Sequence, residues 1–173
     1  MKYFSYFFYF FTAILIVSCN SIKKPKQESK IIECPKTFFS SENRTYISTE
    51  DQSINLDNLS FRADLNNFDY IKECQNFKSL TIYPLDILVI IKPLIITNNK
   101  IDLPIYATLL DKDDNLIETQ YFSISTNINY NEETNTYHET DFSYTLEIIT
   151  KKKSAKYIIV GFMLDSEKLK VLN

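Results

Sequence analysis

Residues 79–92, SLTIYPLDILVIIK, constrain the fold more than any other stretch of the chain. Side chains alternate across a β-strand, so Ile87, Val89 and Ile91 share one face while Leu88 and Ile90 share the other. A strand that is apolar on both faces belongs at the centre of a sheet. A lone sheet would leave one of those faces in water, so a second layer must cover it. Pro84 has no N–H to give to a ladder and is expected at the start of this strand or at a bulge.

The remaining pattern supplies that layer. Residues 103–110 (LPIYATLL) and 116–128 (LIETQYFSISTNI) flank the sequence DKDDN, which reads as a hairpin with a tight acidic turn. Phe142, Tyr144, Leu146 and Ile148 alternate with polar neighbours over residues 140–149, the mark of a half-buried strand. Residues 156–164 (KYIIVGFML) read as a last, largely buried strand. Residues 61–74 read as a strand ending near Cys74, and residues 34–60 as one or two short strands among loops. Polar loops are expected after residue 92 and over 129–139. Asp165 or Ser166 opens a capped helical turn, since either side chain accepts from free first-turn amides. Six to eight short strands and almost no helix predict a mainly β fold. The expected architecture is an antiparallel, immunoglobulin-like β-sandwich over residues 32–173 with a short C-terminal helical turn.

The N-terminus has a different character. Lys2 precedes an uncharged, largely apolar and aromatic run from Tyr3 to Val17, about fifteen residues and roughly 22 Å as a helix. A bilayer core is about 30 Å thick, so this run is short for a permanent span. Ile16-Val17-Ser18-Cys19 then places a small residue before a cysteine at the end of the apolar core. This resembles the lipobox of bacterial lipoproteins. The resemblance implies cleavage between Ser18 and Cys19, diacylglycerol on the Cys19 thiol, and a leader comprising residues 1–18. One acyl chain holds a protein only marginally, whereas two or three anchor it stably. The competing readings are an uncleaved anchor helix and an ordinary cleaved leader with a coincidental cysteine. Asn20 stands where an aspartate favours retention in the inner membrane of enteric bacteria, so the outer membrane is the expected destination. The outer leaflet of the inner membrane is the alternative.

Residues 19–31 then comprise the lipidated cysteine and a tether that is polar, lysine-rich and interrupted by Pro25. Lys23, Lys24 and Lys26 read as part of a solvated linker, with contact to anionic headgroups beside the anchor as the alternative. Removing eighteen residues from 173 leaves 155, which suits a tether and one domain. Losing Lys2 moves the formal charge from −3 to −4, a weakly acidic balance that argues against nucleic-acid binding. Of three cysteines, Cys34 and Cys74 remain beside Cys19. In a secreted chain they are expected to form a disulfide, with free thiols or half a metal site as alternatives.

A wider resemblance covers most of the mature chain. Cys34-Pro35 follows the tether, Cys74 precedes an apolar strand, Leu103-Pro104 and Tyr106 begin another, and Gly161-Phe162-Met163-Leu164 precedes a helical turn. This is similar to a family of small, uncharacterised lipoproteins of alphaproteobacteria. The chain departs from it in having far fewer glycines and alanines, and in Ile105 standing before the aromatic. The resemblance implies an anchor and a fold but no activity.

Motifs for chemistry are weak. One glycine in 173 residues leaves no phosphate loop, dinucleotide fingerprint or nucleophile elbow. Asp111, Asp113 and Asn115 have the spacing that opens a calcium loop, but Leu116 stands where glycine is needed and Phe122 where the closing glutamate is needed. A hydrogen-bonded turn explains them as well. His138 is the only histidine, in a loop with Glu132, Glu133, Glu139 and Asp141. It reads as a surface residue, with general base or metal ligand as the sharper alternative. Tyr121, Tyr130, Tyr137 and Tyr144 are candidates for a glycan- or partner-binding face, against ordinary sheet packing. Lys151-Lys152-Lys153 reads as a solvated turn or a contact for anionic lipid.

The expectation is therefore a lipid-anchored envelope lipoprotein that is not an enzyme. It calls for no cofactor, no metal and no nucleic acid, and for a structural or accessory role beside an envelope protein partner. A ligand-binding module for peptide, glycan or metal is the alternative. An envelope hydrolase ranks last.

Overall fold

A computed structural model describes residues 29–49, 56–95, 99–151 and 154–172. Ser18, Cys19, the expected leader and residues 19–28 of the tether lie outside the described residues. The strands run in order β1 (Lys30–Ile32), β2 (Lys36–Phe39), β3 (Thr45–Thr49), β4 (Leu59–Asp69), β5 (Cys74–Phe77) and β6 (Leu80–Pro93). There follow β7 (Lys100–Leu110), β8 (Leu116–Asn127), β9 (Tyr130–Asn131), β10 (Thr136–Tyr137), β11 (Thr140–Thr150), β12 (Tyr157–Phe162) and the helix α1 (Ser166–Leu172).

These elements build a β-sandwich. The first sheet has the order β1-β5-β6-β4-β3, with β11 also on β6. The second has the order β2-β12-β7-β8, and β9 and β10 form a small separate hairpin. Every pair is antiparallel except β2 with β12. As the apolar pattern requires, β6 is central. β11 covers residues 81–91 of one edge. β5 and β4 share the other edge end to end, pairing with residues 80–82 and 86–93.

That sharing corrects two expectations. Residues 61–74 are not one strand, because the chain leaves the ladder after Asp69 and rejoins it at Cys74. The Tyr70 hydroxyl lies 2.8 Å from Thr37 Oγ1 in the break, a link across 33 residues that no local pattern announces. Pro84 is neither at the start of β6 nor at a bulge in its pairing with β11. It is the centre of the short stretch with neither β5 nor β4 beside it. At the N-terminus, Lys30 and Ile31 belong to the sheet rather than the tether, since β1 pairs with Asn76, Gln75 and Cys74.

The core lies between the sheets. Tyr83, Leu85, Ile87, Val89 and Ile91 of β6 face Leu103, Ile105, Ala107 and Leu109 of β7, all with no exposed surface. Ile158, Val160 and Phe162 of β12 and Leu146 and Ile148 of β11 complete it. Ile101, Leu103, Ile105, Ala107 and Leu109 are consecutive core-facing positions, so the outer face of β7 is Asp102, Pro104, Tyr106, Thr108 and Leu110.

Candidate functional site

Cys34 and Cys74 are bonded, with Cα atoms 5.3 Å apart. The bridge joins the β1–β2 connection to the start of β5, and Cys74 is fully buried. In the chain-entropy account, closing a loop of about forty residues contributes about 4 kcal/mol. Tyr70 packs beside it in a shallow groove shared with Ile31, Ile32, Ile71 and Lys72. Burial raises the Tyr70 phenol to about 12, with the Thr37 hydrogen bond acting against that rise. Tyr83 is pushed up in the same way by burial, although its oxygen accepts the Ala155 amide at 2.8 Å.

The acidic turn is a turn. Asp111 Oδ1 accepts the amides of Asp113 at 2.9 Å and Asn115 at 3.0 Å, and the Asn115 side-chain amide at 3.3 Å. The carboxylate is used in holding its own loop, and Asp114 takes the left-handed backbone such turns require. His138 is exposed at the end of β10, its Nε2 3.3 Å from Thr136 Oγ1. The nearby Glu139 pairs with Lys92 at 3.7 Å. Among the described residues, no three His, Cys, Asp or Glu side chains converge to hold a metal.

The four tyrosines singled out in the sequence do not form one face. Tyr130 and Tyr137 pack together across the β9–β10 hairpin, with ring centroids 4.9 Å apart. Tyr144 takes a core-facing register opposite Ile87 but is exposed at the β11 edge. Tyr121 alone lies on the outer face of the second sheet, where it is 67% exposed.

That outer face is the site the sequence did not disclose. Tyr121 pairs with Tyr106, and Tyr106 pairs with Gly161 of β12. Phe38 of β2 pairs with Ile159, is 52% exposed, and lies 6.2 Å centroid to centroid from Tyr157. Thr108 and Thr119 bond to each other between them at 3.1 Å. From Pro104 to Leu110 and across to Tyr157–Gly161 the outward positions of β7 and β12 carry no charged side chain, and Lys36 of β2 borders them beside Tyr157. The chain's only glycine is required there. A Cβ on Gly161 would meet the Tyr106 hydroxyl at 2.7 Å and Asn43 Cβ at 2.9 Å, so the bare backbone gives Tyr106 its place on the strand. The one signal in the sequence was LPIYATLL, whose alternate positions are apolar or aromatic on both faces.

At the end of β12, α1 starts from Asp165, whose Oδ1 accepts the amides of Glu167 at 3.1 Å and Lys168 at 2.8 Å. The Lys168 amide, followed by its ammonium, holds the Asp165 carboxyl below its ordinary value. Lys168 in turn lies 4.7 Å above the Tyr46 ring and bonds its hydroxyl at 3.3 Å, tying the helix to β3.

No family model, no curated protein and no solved structure matches this chain.

Proposed function

We propose that the chain is a bacterial envelope lipoprotein, anchored by lipid on Cys19, whose sandwich acts as a structural or accessory binding protein rather than an enzyme. The observation that carries the reading is the Ile16-Val17-Ser18-Cys19 motif at the end of a short apolar run, eleven residues before the first strand begins at Lys30. A folded domain on a short polar tether is what such an anchor presents. The aromatic patch on the outer face of the second sheet supports the binding role, because exposed aromatic surface of this kind suits a protein partner better than water. The expected location is the outer membrane with the domain in the periplasm. The outer leaflet of the inner membrane is the alternative. The same face also supports a glycan-binding module, since Tyr121 and Tyr106 offer ring surface to a sugar.

The test is the intact mass of protein extracted from membranes, with and without Cys19→Ala. A mass starting at Cys19 with diacylglyceryl added, lost in the variant, is expected. A mass that retains residues 1–18 unmodified would mean an anchor helix instead. Loss of a co-purifying membrane protein on Phe38→Ser with Tyr121→Ser, with folding intact, would separate the partner role from the glycan role.

A further inference from the structure

The two ends of the sandwich differ in charge. Register places the start of β1, the β5–β6 turn and the end of β11 at one end of the first sheet, since Lys30 pairs with Asn76 and Thr150 with Thr81. The starts of β2 and β12 lie at the same end of the second sheet, where Tyr157 pairs with Lys36. Lys30, Lys78, Lys151, Lys36 and Lys156 therefore gather at the end where the tether enters. Among the described residues none of the five is in an ion pair; Lys78 only overlies the Phe77 ring at 5.3 Å. Asp111, Asp113 and Asp114 occupy the β7–β8 corner of that end together with Lys112, and Lys151 opens a run of three lysines.

The far end is the reverse. Glu132, Glu133, Glu139 and Asp141 surround the β9–β10 hairpin, and Asp165 and Glu167 begin α1. Two of its four lysines are in ion pairs, Lys92 with Glu139 and Lys168 with Asp165, while Lys100 opens β7 and Lys170 lies in α1. A row of three isoleucines interrupted by Gln75 adjoins the basic end on the outer face of the first sheet. Ile31, Gln75, Ile82 and Ile149 stand side by side across β1, β5, β6 and β11, with Ile31 60% and Ile149 42% exposed.

We propose that this end of the sandwich rests on anionic phospholipid headgroups, with the lysines against the phosphates and Ile31 and Ile149 at the headgroup boundary. The proposal rests on the Cys19 anchor. The eleven residues from Cys19 to Lys30 span at most about 40 Å and join the domain at this end, so the anchor brings this end to its own bilayer with the least extension of the tether. A lysine near an anionic surface gains about fivefold in local binding, and exposed isoleucines beside it add apolar contact. The carboxylates of the far end are repelled, which leaves the outer faces of both sheets standing along the membrane normal.

The test is lysine acetylation, read by mass spectrometry, on the full lipidated chain in vesicles of about one-third phosphatidylglycerol and in vesicles of phosphatidylcholine alone. On anionic vesicles Lys30, Lys36, Lys78, Lys151 and Lys156 are expected to react about fivefold more slowly than on neutral ones. Lys92, Lys100 and Lys170 should react equally on both. About 0.5 M NaCl should abolish the protection, and Lys78→Glu with Lys151→Glu should remove most of it at low salt. Equal rates on the two vesicle types, in a chain whose intact mass carries diacylglyceryl, overturn the proposal and leave the anchor standing. An unmodified mass overturns the anchor and this orientation together.

Discussion

The outer faces of the two sheets follow the same strand alternation and come to opposite surfaces. On the first sheet polar groups are satisfied sideways. Arg62 pairs with Asp64 at 2.9 Å, Thr45 donates to Asp64 at 2.6 Å and Thr145 to Asp86 at 2.9 Å. Its half-buried Ile90 sits in a groove with Arg62, Asp64 and Lys92, where long side-chain stems cover apolar surface while their charged ends stay wet. On the second sheet Tyr106, Tyr121, Phe38, Tyr157 and Ile159 face outward, with Lys36 the charge beside them at the Tyr157 edge. Around β3, β4 and the far half of β6 the first face is covered by its own ion pairs and hydrogen bonds, and the exposed isoleucines of its strands lie only at the tether end. A face of exposed rings, shaped by the only glycine, is left unfinished and suits a partner.

The largest test of this contrast concerns what holds the first sheet together. Its tether-side edge consists of short strands, β1 and β5, whose few ladder bonds are marginal without the bridge. Replacing both cysteines, Cys34→Ser with Cys74→Ser, is expected to cost about 4 kcal/mol in urea unfolding. The loss should appear as weakened protection of β1 and β5 amides in hydrogen exchange, with β7 and β12 protected to the global limit. A loss below about 1 kcal/mol would show that the sheet, rather than the bond, fixes this edge.

The second sheet is tested at Gly161. Gly161→Ala puts a methyl within 3 Å of the Tyr106 ring and Asn43 Cβ, and overpacking of this kind costs about 1–3 kcal/mol. Adding Tyr106→Ala should recover part of the loss, because the ring end is removed while Asn43 remains. Thr145→Ala on the first sheet, which deletes one half-buried hydrogen bond, should cost about 1 kcal/mol. Equal effects of Gly161→Ala and Thr145→Ala would remove the claim that the second face is the more tightly shaped.

How much of this was legible in the chain depends on the range of the interaction. The alternation in 87–91 disclosed a central strand and a second layer, because both follow from which residues sit two apart. The acidic hairpin and the Asp165 cap were readable for the same local reason. The Cys34–Cys74 pair was readable from parity once Cys19 was set aside and a secreted chain was expected. The break between β4 and β5 was not, since Tyr70 answers to Thr37. Nor was the aromatic face. Tyr106 meets Gly161 only through a register between strands more than fifty residues apart, and a tyrosine in an alternating strand looks the same whichever sheet faces it. Tyr121, Tyr130, Tyr137 and Tyr144 were grouped by proximity in sequence, and the fold dispersed them.

The smallest expected effect is on the charged face, and its size depends on pH. Burial alone would raise Asp64, but hydrogen bonds from Arg62 and Thr45 and the charges of Arg62 and Lys92 outweigh it and leave the carboxyl below its ordinary 3.8. A carboxyl depressed in the folded state contributes stability that is fully present above its unfolded value. That contribution is lost as pH falls through the folded value. The Arg62 side chain is half exposed, so solvent screening limits the pair to about 0.2–1 kcal/mol. Asp64→Asn should therefore unfold more easily than the parent chain by that amount near neutral pH, and the two should converge below the folded value. Urea unfolding at neutral pH and at about pH 2 measures both points. A difference that stays constant across that range would mean that Asp64 acts by packing rather than charge, and that the first sheet's outer face is not finished by its ion pair.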